Sequence, residues 1–159
     1  VFVVGRFSLA ALQQQLVDID VLPLPPQMRD IDPENITLNT DGTGQDQQPD
    51  TKVIYIGRNN TATISVYYLG MPLDFAAVTQ IQVELLGTDI TIDSNDSPIY
   101  IQWDAGSNLL TFKIGGIDVP PGIYPVSMVI FDAAHLQGQV IAGPGGAMLK
   151  FDFEQDRAA

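Results

Sequence analysis

Apolar and polar residues alternate strictly along two stretches of this chain. Ala62, Ile64, Val66 and Tyr68 interleave with Thr61, Thr63, Ser65 and Tyr67, and Ile81, Val83 and Leu85 interleave with Gln80, Gln82 and Glu84. A period of two sends successive side chains to opposite faces of a β-strand, so each stretch predicts a strand with one buried and one wet face. Short, β-branched and aromatic-rich runs continue this texture and predict strands over residues 52–56, 61–69, 79–86, 90–93, 99–103, 109–114, 123–131, 139–141 and 148–153. Turn formers separate them: Arg58-Asn59-Asn60, Asn95-Asp96-Ser97-Pro98, Ala105-Gly106-Ser107-Asn108 and Pro120-Pro121-Gly122. No gap is long enough for the helical crossovers of a parallel α/β sheet. The expected fold is all-β, an immunoglobulin-like antiparallel β-sandwich over residues 51–153, with residues 154–159 as a tail.

A different period governs the first residues. Leu9, Leu12, Leu16 and Ile19 recur at helical spacing, predicting a short helix over residues 8–20 with Ser8 as its cap; Ala11 stands where a capping box needs Glu or Gln. Pro23, Pro25 and Pro26 stop it. The stripe is narrow and flanked by Gln13, Gln14 and Gln15, which suits docking on a partner or on the chain's own sandwich. Residues 21–50 then combine proline-rich, extended sequence with a Gly, Asp and Gln cluster that reads as a flexible linker, and only residues 35–38 look like a short strand. Residues 1–50 therefore read as an amino-terminal arm, whose assembly contacts would be Leu9, Leu12, Leu16, Ile19, Val21, Leu22 and Leu24.

Composition narrows the partners. Apolar residues make up 45% of the chain and charged residues 16%, with a mean hydropathy of +0.13, so little polar surface remains to cover the fold and part of the apolar surface is expected to meet a partner. A net charge of −12 with only 7 Lys and Arg opposes any phosphate-tracking surface, so neither nucleic acid nor an anionic membrane is expected. With no cysteine there are no disulfides or thiolate metal sites. No apolar run reaches the roughly 18 residues of a membrane span, and VFVVGRFSLAALQQQL turns glutamine-rich where a signal peptide's apolar core should continue. Asn35-Ile36-Thr37 and Asn59-Asn60-Thr61 match the glycosylation triplet but need a secretory route.

Candidate chemistry is sparse. His135, the single histidine, falls in the polar stretch Ala133-Ala134-His135-Leu136-Gln137-Gly138 and is expected as an exposed loop residue; no Gly-x-Ser-x-Gly accompanies it. Asp89, Asp93, Asp96 and Asp104 are numerous enough for carboxylate chemistry but read as solvated turn residues. Asp41-Gly42-Thr43-Gly44-Gln45-Asp46 and Asp93-Ser94-Asn95-Asp96 offer oxygens to calcium without forming an EF-hand loop. Gly143-Pro144-Gly145-Gly146 lacks the Lys-Ser/Thr of a phosphate loop and predicts a hairpin or bulge. No catalytic, cofactor or metal site is expected. Trp103 reads as a core or sheet-edge filler. Tyr124, opening a late strand after Pro121-Gly122-Ile123, reads as a tyrosine corner that ties the sheets.

Leu69-Gly70-Met71-Pro72-Leu73-Asp74-Phe75, followed by residues 78–86 and later by Gly122-Ile123-Tyr124, resembles the layout of small immunoglobulin-like domains in tailed-phage virion proteins of the baseplate upper protein and head decoration protein type. The resemblance covers residues 52–153. It implies a non-enzymatic structural part of a virion, made in the host cytoplasm, whose partners are other virion proteins or copies of itself in a homo-oligomeric assembly. The alternative is a carbohydrate-binding or adhesin-type sandwich presenting Trp103, Tyr67, Tyr68 and Tyr100.

Overall fold

The computed structural model describes residues 28–40 and 51–155. The expected helix, the seven apolar arm residues and the acidic string at residues 41–46 lie outside the described residues. Among the described residues one 3-10 turn, Pro33–Asn35, precedes the strands; Asp32 caps it by accepting the Glu34 N–H, and Pro33 begins it where no N–H is needed.

Eleven strands follow: β1 (Ile36–Asn39), β2 (Thr51–Ile56), β3 (Ala62–Tyr68), β4 (Met71–Pro72), β5 (Gln80–Leu85), β6 (Thr91–Asp93), β7 (Ile101–Trp103), β8 (Leu109–Phe112), β9 (Gly122–Asp132), β10 (His135–Ala142) and β11 (Lys150–Gln155). The first sheet runs β1-β3-β8-β7 with β4 beside β3, and the second runs β2-β11-β9-β5-β6 with β10 beside β9. This is the immunoglobulin arrangement: β1, β3, β8 and β7 take the places of strands A, B, E and D, and β11, β9 and β5 those of G, F and C.

All seven alternating residues of β3 and β5 are buried, as the period of two requires. Phe75, Phe112, Phe151 and Phe153 are the largest fully buried side chains between the sheets. Phe112 of the first sheet meets Phe151 of the second edge to face, with ring centroids 5.3 Å apart. Tyr124, near the start of β9, donates its hydroxyl to the Pro120 carbonyl at 2.7 Å, closing the connection that crosses from one sheet to the other.

Three features differ from the sequence expectation. The sandwich does not begin at residue 51: β1 pairs with β3, Ile36 opposite Tyr68, and both Met28 and Ile36 join the core. A four-residue strand offers too few alternations to stand out among prolines, and only its long-range pairing defines it. One of the nine strand pairings is parallel, β2 against β11, because the segment after residue 50 enters the second sheet from the same end as the last strand. Finally, β10 starts at His135, four residues earlier than expected, and β11 runs to Gln155, into the expected tail.

Candidate functional site

Strand β9 places Val126, Met128 and Ile130 on the core-facing side, and the same phase carries on to Asp132, which is 3% exposed. A carboxylate there demands compensation, because burial without hydrogen bonds costs several kcal/mol. Two groups supply it. Asp132 Oδ2 accepts the Met28 N–H at 2.6 Å, and Oδ1 faces His135 Nδ1 at 2.6 Å across the Ala133-Ala134 turn. His135 Nε2 faces Asp30 Oδ1 at 2.7 Å. Thus one imidazole bridges the hairpin to the chain segment that leads into the first sheet.

The rest of that segment is fastened in the same way. The Gln139 side chain accepts the Ile31 N–H at 2.7 Å and donates to the Arg29 carbonyl at 3.1 Å, standing in for the backbone of a missing neighbouring strand. The Asp32 N–H donates to Tyr68 Oη at 3.1 Å, and the Arg29 guanidinium lies 4.9 Å from the centre of the Tyr68 ring. Residues 28–32 are therefore held by β9, β10 and β3 together. Gly138 permits the fit: its φ is +80°, and an added Cβ would collide with the side chains of Val129 and Phe131. It lies in the register shift between His135 and Gln139 that aims both side chains at the segment.

Charge follows from the hydrogen bonds. A carboxylate can only accept, so an imidazole facing two carboxylates must donate from both nitrogens, which is the protonated form. Hydrogen bonds to Asp30 and Asp132 accordingly raise the His135 pKa, against a smaller opposing effect of burial. Burial pushes the Asp132 carboxyl up, but the Met28 N–H and His135 together outweigh it and leave its pKa below the ordinary value.

The expected site residues do not converge. His135 is a strand residue with its side chain only 16% exposed, not a loop residue, because Asp132 and Asp30 hold it against the sheet. Trp103 pairs with Leu110, which is fully buried, so its ring belongs to the inner face and packs partly on the core. Tyr67 pairs with Thr37 on the opposite face of the same sheet, out of phase with buried Val66 and Tyr68. Tyr100 packs partly against the core. The proposed aromatic platform is thus split between two faces. Beside Trp103 runs an open groove of about 480 Å³, but three of its polar side chains already serve the fold. Thr79 Oγ1 donates to the Phe131 carbonyl, Ser94 Oγ accepts the Ile81 N–H and Gln102 Nε2 donates to the Pro98 carbonyl.

Asp93 is likewise committed. Its Oδ2 accepts from both Gln80 and Gln82 and its Oδ1 accepts the Asn95 N–H. Burial raises its pKa, but these three bonds outweigh that effect and the net shift is downward. It caps a turn.

Asp30 and Gln139 carried no sequence signal of their own. The available hint was Asp132 itself, a charge occupying the next buried phase of an otherwise apolar strand.

No family model matches the chain, and no curated protein matches it. Among solved structures it is similar to the endo-beta-1,4-mannanase from Thermotoga petrophila, at 12% identity and a TM-score of 0.41 over 79% of this chain and 21% of that one. It is also similar to the extracellular domain of a protein from B. thetaiotaomicron described as a hybrid two component system, at 13% identity and a TM-score of 0.31 over 88% of this chain and 16% of that one. The chain spans about a fifth or less of the length of these proteins.

Proposed function

We propose that the chain is a non-catalytic structural module that joins copies of itself through its amino-terminal segment, in an assembly such as the phage virion that its sequence resembles. The observation that carries this reading is the fastening of residues 28–32 by Asp132, His135, Gln139 and Tyr68. A segment that transmits contact to a neighbour must be rooted firmly, or the neighbour's binding energy is spent on ordering the root. Both nitrogens of His135 are engaged by the segment and the hairpin, so the ring serves as a clamp and offers no free base. The apolar residues Leu9, Leu12, Leu16 and Ile19, spaced in the sequence at helical intervals, precede this root and are the surface we assign to that contact.

Light scattering of the full chain over a concentration series tests this. Oligomers are expected to build up with concentration in the parent, and a Leu12→Asp, Leu16→Asp variant is expected to stay monomeric with an unchanged melting temperature. A parent chain that stays monomeric across the series, or a variant that assembles as well as the parent, overturns the reading.

A further inference from the structure

The groove of about 480 Å³ beside Trp103 takes its walls from both sheets: Ser94 and Asn95 follow β6, and Ile101 and Trp103 belong to β7, each the outer strand of its sheet. Its size falls within the roughly 300–1,000 Å³ of small-molecule sites. Ile101 is buried and Trp103 half-buried, so an aliphatic side chain and part of an indole supply the apolar surface.

Three polar side chains of this wall are spent on the fold, and three others are not. The Asn95 amide, the Asp104 carboxylate and the Trp103 indole N–H line the groove and make no hydrogen bond with any described residue. Among the described residues no buried side-chain nitrogen or oxygen lacks a partner, so the indole N–H opens to the surface. The backbone holds all three in place. Asp93 Oδ1 accepts the Asn95 N–H at 2.8 Å while its Oδ2 is gripped by Gln80 and Gln82, the Asp104 carbonyl accepts the Ser107 N–H at 3.2 Å, and Trp103 pairs with Leu110. A site supported in this way binds without first ordering its own walls.

These groups select the ligand. Asp104 and a net charge of −12 oppose an anion. A wholly apolar occupant would strip water from three polar groups and leave them unpaired. A cation would have one carboxylate to offset its desolvation and no use for the indole N–H or the Asn95 amide N–H groups. A neutral ring carrying adjacent hydroxyls meets every group. Its C–H face lies on the exposed part of the indole, its hydroxyls donate to Asp104 and to the Asn95 carbonyl, and its oxygens accept from the Asn95 amide and the Trp103 N–H.

We infer that this groove is a binding site for a neutral sugar. It lies at the edge of the sandwich opposite β1, so failure of this inference or of self-association through the amino-terminal segment leaves the other standing.

Trp103 is the chain's only tryptophan, so its fluorescence reports on the groove directly. The full chain is titrated with glucose, galactose, mannose, N-acetylglucosamine and their disaccharides, and with glucuronate and choline as the anionic and cationic probes. At least one neutral sugar is expected to change the emission saturably in the millimolar range, and glucuronate and choline are not. Asp104→Ala and Asn95→Ala are each expected to weaken that binding on the order of tenfold while melting with the parent. The inference is overturned if no neutral sugar gives a saturable change, if glucuronate or choline binds as well as the best of them, or if both variants bind as tightly as the parent.

Discussion

His135 and Asp30 stand 105 positions apart in the chain and 2.7 Å apart in space, His135 Nε2 facing Asp30 Oδ1. The other ring nitrogen is held by buried Asp132, so the contact exists in full only while the ring is protonated and both acids are ionised.

A pH window follows. Because folding raises the His135 pKa, its contribution is fully present below the ordinary value of 6.5 and is lost as pH rises through the folded value. Because folding lowers the Asp132 pKa, its contribution is present above 3.8 and is lost as pH falls through the folded value. Hydrogen exchange of the Met28, Ile31 and Asp32 amides is expected to be slowest between these limits. In a His135→Ala variant the loss of protection on the alkaline side should disappear after correction for intrinsic exchange. Equal alkaline loss in parent and variant would refute the assignment to His135.

Gln139 is expected to be irreplaceable in a graded way. Glu can still accept the Ile31 N–H but cannot donate to the Arg29 carbonyl, whereas Ala loses both bonds. Denaturant unfolding should rank Gln139→Ala below Gln139→Glu and both below the parent, with the Ala variant losing about 1–3 kcal/mol.

Gly138→Ala faces two penalties, a positive φ and contact with Val129 and Phe131. A loss of about 2 kcal/mol or more is expected in the same measurement. Protease cleavage near residue 28 should also accelerate, since the register shift that aims Gln139 is displaced.

Leu69 is the only described non-glycine residue with a positive φ, +53°, and it is followed by Gly70 at +79° in the two-residue turn from β3 to β4. Such turns favour Asn-Gly. Leu69→Asn should raise stability by about 0.5–1 kcal/mol, read as a shift in denaturant midpoint. No gain would show that the Leu69 side chain makes a contact that offsets the backbone cost.

The fold was legible where one face of a strand is wet. Every strand predicted from residue 52 onward is present, because the alternation in β3, β5 and β9 records burial directly. The edge strand β1 was only a faint suggestion, since Ile36 and Leu38 are its sole alternating pair and its position comes from Tyr68, thirty-two places later. The fastening of residues 28–32 was hidden for the same reason: His135 sits among Ala, Leu, Gln and Gly, a composition that reads as a loop, and its partners are set by topology. The alternation already put Tyr67 on the wet face of its strand, but the three-residue strand of Trp103 is too short to show its phase, and only the pairing with buried Leu110 places that ring on the inner face.

The parallel pairing of β2 with β11 sets the direction in which this body resists a pull. Gln155 leaves beside Ile56, past the start of β9, while Met28 is held at Asp132, the end of β9. Those points are separated by the length of an eleven-residue strand, about 33 Å. Tension applied between residue 28 and residue 155 therefore runs along the strands, and β11 would have to slide between β2 and β9, straining both of its ladders at once instead of peeling one bond at a time. In that direction the sandwich acts as a strut.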